Sequence, residues 1–271
     1  MKITGCKTNH MVNPLGFDMT KPLISYVIKE AEGKTQALLR ISENEDMSDP
    51  IFETHLTHES NKVNFGAPIG VKPRTRYYWN ALGEAYVSET NWFETAKMDE
   101  PWQAKWISSY YSGAQYPIFS KQIEFSDVKS ARLYICGLGQ YEAYIGKEKV
   151  TEDFLPPYRN GSIKELQYQT CDVTEAVKNG ESLEVWFGSG AIGGFANEKP
   201  SYGITWKLIA ELHVTHTDGS EDVVGTDGSW KVAMRKAGDA AVDAGEHPND
   251  APVNAALCKE ALPPLKARLL Q

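Results

Sequence analysis

Long apolar runs are missing from this 271-residue chain. No stretch approaches the ~20 consecutive apolar residues that span a bilayer. The start, MKITGCKTNHMVNPLGFD, carries lysine but no apolar core behind it, so it does not read as a secretory signal. Cysteine is scarce: Cys6, Cys136, Cys171 and Cys258 are scattered, and no two have the spacing of a zinc site or a redox pair. Reduced thiols in a cytoplasmic protein are the expectation. Positive charge is also short, with 28 Lys and Arg against 36 Asp and Glu, a net charge of −8. That balance argues against a nucleic-acid or anionic-membrane surface. Sustained helical periodicity is nearly absent.

Short runs of aromatic and β-branched residues are abundant. IFETHL, YYWNAL, NWFETA, PIFSKQIEF, ARLYICGL, YEAYIG, LQYQTCDV, ESLEVWFG, ITWKLIAELHVTHT and SWKVAMR all read as strands. Arg132, Tyr134 and Cys136 should point one way, Leu133 and Ile135 the other. Turn signals at Asn179-Gly180, Asp218-Gly219 and Asp227-Gly228 punctuate them. Arg132–Gly146 reads as a hairpin turning at Gly137-Leu138-Gly139. Thr217–Ser220 and Thr226–Trp230 read as two further hairpin turns. Thr174–Lys178 reads as a helical turn capped by Asp172 or Thr174 and stopped by Gly180. The polar segment Lys97–Pro101 marks a boundary. The expectation is all-β: a β-sandwich over 1–97, a jelly roll over 98–255, and an exit strand or linker over 256–271. Tyr78-Trp79 and Trp92-Phe93 should lie on neighbouring strands as core aromatics.

These segments also resemble a known family. KTNHMVNPLGFDMTKPLISYVI resembles the opening of bacterial α-L-rhamnosidases, where an Asn-Pro-Leu-Gly-hydrophobic-Asp element begins a fibronectin-III-like, immunoglobulin-type domain. VKPRTRYYWNALGEAYVSETNWFETA resembles the end of that domain. Trp102–Ile107 resembles the start of the next module. VKSARLYICGLGQYEAYIGKEKV, LQYQTCDVTEAVKNGESLEVWFGSG and IAELHVTHTDGSEDVVGTDGSWKV resemble, in order, its galactose-binding-like jelly roll. The resemblance implies non-catalytic front modules of a glycoside hydrolase. Catalysis in the family belongs to a following (α/α) barrel with two acids, inverting and therefore ~6.5–9.5 Å apart. The implied partner is that catalytic domain, on the same or another chain.

No active site of this chain's own emerges. Glu43, Glu45, Asp46 and Asp49 read as a solvated loop. His55 and His58, like His213 and His216, are three apart in extended segments and face opposite sides, which disfavours zinc. Gly188–Gly194 lacks the Gly-Lys-Ser/Thr ending of a phosphate loop, and Gly-x-Ser-x-Gly does not occur. The remaining alternative is sugar binding. Some family members bind L-rhamnose with calcium through jelly-roll loops, so the resemblance points to Phe154–Ser162 and Gly188–Ala196. Tyr158, Arg159, Asn160 and Phe195 are the candidate sugar contacts. Asp153 and Asn160 are the candidate calcium ligands, since calcium takes hard oxygens. Tyr158 and Arg159 stand where the family has Gly-Trp, Asn160 and Gly161 where it has Thr-Asp, and Ala191-Ile192 where it has Trp-Tyr. Ala244–Asp250 resembles a Gly-Glu-x-Tyr-Asp segment without its tyrosine. Bracing a catalytic domain would be favoured by an exposed apolar patch above ~400 Å² on the jelly roll.

Overall fold

Alternation of apolar and polar side chains along short β-branched and aromatic runs gives strands with one buried and one outward face. The computed structural model describes residues 2–30, 34–58, 62–84, 86–109, 115–151, 165–188, 206–236, 253–259, 262 and 264–267. The chain divides into two units, Met1–Glu100 with Ala267–Gln271, and Pro101–Lys266. Both are β-sandwiches, the first immunoglobulin-like and the second a jelly roll.

The first unit contains β1 (Lys2–Thr8), β2 (Leu15–Phe17), β3 (Leu23–Lys29), β4 (Thr35–Ser42), β5 (Phe52–His58), β6 (Lys62–Gly66), β7 (Arg76–Gly83), β8 (Tyr86–Val87) and β9 (Asn91–Thr95). One sheet runs β1-β3-β6 and the other β2-β9-β7-β4-β5, with β8 on β7. Inward residues include Ile24, Tyr26, Leu39, Ile41, Tyr77, Trp79 and Phe93. Trp79 is fully buried, and its indole N–H donates to Thr8 Oγ1 at 3.0 Å. β7 and β9 pair as expected, with Tyr77 opposite and stacked on Phe93 at 5.2 Å. Trp92 is not a core residue. Strand alternation turns it and Tyr78 outward, and the Arg76 guanidinium lies 4.0 Å from the Trp92 ring centroid.

The second unit contains β10 (Ile107–Ser109), β11 (Gln115–Gln122), β12 (Val128–Leu138), β13 (Tyr141–Ile145), β14 (Glu148–Lys149), β15 (Leu166–Asp172), α1 (Thr174–Asn179), β16 (Ser182–Phe187), β17 (Trp206–His216), β18 (Glu221–Gly225), β19 (Lys231–Lys236), β20 (Val253–Asn254), β21 (Ala256–Leu257) and β22 (Leu265–Ala267). Its sheets run β21-β10-β17-β12-β15-β22, with β18 on β17, and β14-β13-β16-β11-β19-β20. Between them lies one core, including Leu133, Ile135, Val185, Phe187, Leu208, Leu212 and Trp230. Leu133 and Ile135 face this core, while Tyr134 packs on the other side against Tyr168 and His213. β21 and β22, within the stretch assigned from sequence to an exit strand, pair with β10 and β15.

Three local expectations need correction. Arg132–Gly146 is not a hairpin, because β12 and β13 belong to opposite sheets and the chain arches between them. The strand runs through Gly137 to Leu138; Gly139, at φ 125°, makes the corner. Gly137 is needed for packing, since a Cβ there would lie 2.5 Å from Tyr141 Cδ1. Thr226–Trp230 likewise crosses from β18 in one sheet to β19 in the other. The Asp227 carboxylate, held below its ordinary pKa chiefly by the Ser229 hydroxyl, also accepts the Ser229 N–H at 2.8 Å. The N-cap of α1 is Val173, without a side-chain cap, and Asp172 Oδ1 accepts the Thr174 N–H at 3.1 Å. Gly180 ends the helix at φ −105°, not in a left-handed cap. A side chain there would crowd Ile145.

Candidate functional site

Strand registers gather one end of the jelly roll into a rim. In the first sheet, Ser109 at the end of β10 pairs with Trp206 at the start of β17, and Lys207 pairs with Leu138 at the end of β12. β15 starts beside the same end of β12, given Ile135 opposite Gln169. In the second sheet, Gln115 pairs with Lys236, and Tyr141 pairs with Phe187. The chain after β14 runs back along β13 to this end, with the Val150 N–H bonded to Ala143 O at 2.9 Å and the Ala143 N–H to Thr151 Oγ1 at 3.2 Å. The described residues flanking 110–114, 152–164, 189–205 and 237–252 therefore include Ser109, Gln115, Thr151, Glu165, Gly188, Trp206 and Lys236, all at or near one end.

Beneath this rim the floor is aromatic and ordered by hydrogen bonds. Trp206 donates its indole N–H to Gly188 O at 3.3 Å and meets Tyr116 edge-on at 6.0 Å. The Tyr141 hydroxyl donates to Gln169 Oε1 at 2.5 Å, and Phe187 packs against both Tyr141 and Phe119. Asp153, Tyr158, Arg159, Asn160 and Phe195, with the segment 244–250, lie outside the described residues. The described residues that flank 152–164 and 189–205, namely Thr151, Glu165, Gly188 and Trp206, lie at or near this end. Among the described residues, no group of three or more His, Cys, Asp or Glu is placed to hold a metal ion.

A second constellation escaped the sequence reading. On the outward side of β17, Glu211 is fully buried and His213 nearly so. Glu211 Oε1 accepts the backbone N–H groups of Gln103 and of Ala104, the latter at 2.7 Å, while Oε2 lies 3.0 Å from His213 Nε2. His213 Nδ1 lies 3.3 Å from Glu221 Oε1. The same segment is fixed at Lys105, whose N–H donates to Thr226 O at 2.8 Å and whose carbonyl accepts the Thr226 hydroxyl at 2.7 Å. Trp102 closes the row edge-on against Tyr168 at 5.3 Å. Residues 102–106 thus seal this sheet face, with a carboxylate acting as anchor for backbone donors that would otherwise be buried without acceptors. An acid inside the apolar run WKLIAELHV was the available signal. With Glu211 fully buried and its Oε1 taken up by backbone donors, this cluster reads as structural.

The comparisons with known proteins follow the two units. Residues 3–99 match the family described as Rha78A-like, N-terminal immunoglobulin domain, and residues 126–252 match the alpha-L-rhamnosidase N-terminal domain. The chain thus carries two domains of the kinds found at the N-terminus of α-L-rhamnosidases. It is 30% identical over 280 aligned positions to an α-L-rhamnosidase of Formosa agariphila, covering 82% of this chain but 28% of that one. In fold it is similar to the α-L-rhamnosidase of Dictyoglumus thermophilum, with TM-score 0.78 and 23% identity over 99% of this chain and 35% of that chain. The Streptomyces avermitilis α-L-rhamnosidase complexed with L-rhamnose gives TM-score 0.75 and 17% identity over 97% of this chain and 45% of that chain. The chain therefore spans less than half the length of each of these α-L-rhamnosidases, and what it matches is their N-terminal, accessory and non-catalytic region.

Proposed function

We propose that this region braces and orients the catalytic domain of an α-L-rhamnosidase and contributes no catalytic group itself. The observation that carries the reading is proportion: a relative 30% identical aligns along 82% of this chain, yet the alignment uses only 28% of that relative. The described cores support it. Each unit is filled by its own apolar side chains, and Glu211, the most buried acid among the described residues, binds backbone donors of the seal. Inverting glycoside cleavage needs two carboxyl groups facing each other across a sugar. The pure 271-residue chain should not hydrolyse an aryl α-L-rhamnoside. Steady turnover that survives re-purification and disappears with substitution of a carboxylate in this chain would overturn the reading.

A second reading rests on the rim. It gives a sugar-binding module whose loops 152–164 and 189–205 carry Asp153, Tyr158, Arg159, Asn160 and Phe195. In its favour, the described residues flanking both segments stand beside an aromatic floor at one end of the sandwich, where jelly rolls commonly take ligands. Calorimetry with millimolar L-rhamnose and calcium decides it. Binding lost in Tyr158→Ala and Arg159→Ala supports it, and absence of heat in the wild type leaves the bracing role alone.

A further inference from the structure

The outward face of the first unit's larger sheet departs from the polar surface expected of a solvated sheet. Since Tyr77, Trp79 and Ala81 face the core, Tyr78, Asn80 and Leu82 face away. Register then arranges this face in three rows. Trp92, Tyr78 and the fully buried Ser42 form the first, and Ile51 follows where the pairing breaks, its N–H donating to Ile41 O at 2.8 Å. Asn80, Arg40 and Glu53 form the second, and Val87, Leu82, Leu38 and His55 the third. The Trp92–Tyr78 pair on one side and Val87, Leu82 and Leu38 on the other therefore flank a polar stripe in which Asn80 is buried. Arg40 is fixed in that stripe by donating its Nε–H to Asn80 Oδ1 at 3.2 Å. The corners are open: Val87 is 62% and Ile51 45% exposed.

We propose that this face is the surface through which the region packs against the polypeptide that follows it in longer α-L-rhamnosidases. The inference rests on the bracing role proposed above and names its contact. Aromatic, aliphatic and arginine side chains together are the composition of an interface centre. Its occupant is argued from length. Most of each compared α-L-rhamnosidase lies outside the region this chain matches, 72% of the Formosa relative being left by the 28% covered. The partner surface is apolar, with an oxygen acceptor opposite Arg40.

The test joins this chain, intact, to the Formosa α-L-rhamnosidase in place of its own matched N-terminal region. Thermal unfolding of the hybrid is followed with Val87→Asp and Ile51→Asp, and with Leu257→Asp, an exposed apolar residue of the second unit, as control. The expected result is one cooperative transition that falls by at least ~2 °C with either face substitution. The control should not move it, and neither face substitution should move the isolated 271-residue chain. A single transition indifferent to both face substitutions overturns this surface and leaves the bracing role standing. Two transitions, with this region melting as it does alone, overturn both.

Discussion

The two units treat an outward sheet face in opposite ways. In the jelly roll, the outward side of β17 is covered within the unit by residues 102–106, pinned on Glu211 and Thr226. In the immunoglobulin-like unit, the corresponding side of β7 buries Asn80 but leaves Tyr78 and Leu82 half-buried and neighbouring Val87 exposed. The difference lies in what each face is made of. The sealed face carries Glu211 and His213, which demand partners once buried. The open face carries apolar groups and an arginine, which tolerate water until something covers them.

The largest effect should come from cutting into the sealed unit. The family match begins at residue 126, but β10 and β11 precede it, and β11 lies between β16 and β19. A chain begun at Ser126 loses a central strand and the whole strap, so it should show no cooperative thermal transition by circular dichroism. A chain begun at Pro101 should fold. A cooperative melt from the shorter piece would show that strap and strand are dispensable.

Next in size is the anchor itself. Glu211→Ala strands the N–H groups of Gln103 and Ala104 and removes the partner of His213, so a loss of about 3–5 kcal/mol in denaturant unfolding is expected. Glu211→Gln retains a carbonyl acceptor and should lose less. Equal losses would mean that charge, not backbone capture, is what Glu211 supplies. Gly225→Ala probes the strap from below, since a Cβ there would sit 3.0 Å from Ala104 Cα. Both are backbone-bound elements, so the strap must shift, and about 1–2 kcal/mol should be lost. Fast amide exchange at Gln103 and Ala104 in this variant would locate the damage.

These cases also mark how far the sequence could be read. Strands such as Arg132–Cys136 were legible because period-two alternation is a local property. The sheet to which each strand belongs was not. Glycine corners and Asp-Gly turns serve hairpins and sheet-crossing arches alike, and β12 is claimed by β15 and β17, far along the chain. Trp92 misled for a related reason: its neighbour Phe93 is core, and alternation alone does not say which of an aromatic pair points in. Glu211 was one acid among 36 acidic residues until the fold brought Gln103 to it. The rim residues were reached through family resemblance alone, and Asp153, Tyr158, Arg159, Asn160 and Phe195 fall outside the described residues. What the registers add is a shared end of the sandwich for the chain on either side of them.

The smallest effect lies on the same strand as the anchor, beyond the strap. His216 places Nδ1 2.7 Å from Ser126 O and Nε2 3.0 Å from Asp222 Oδ2. The Ser126 carbonyl first, then the Asp222 carboxylate, raise its pKa above the ordinary 6.5. A histidine raised on folding contributes stability that is fully present below its unfolded pKa and is lost as pH rises through the folded one. His216→Ala should therefore lower the melting temperature most at pH 5.5–6 and least at pH 8.5. The pair faces solvent, so salt should shrink the difference. Glu211→Ala should stay costly across the same range and at high salt, because its backbone donors do not titrate. If instead the His216→Ala deficit grows toward alkaline pH, the imidazole is held neutral there, and the contrast between an open, screened pair and a sealed anchor along β17 fails.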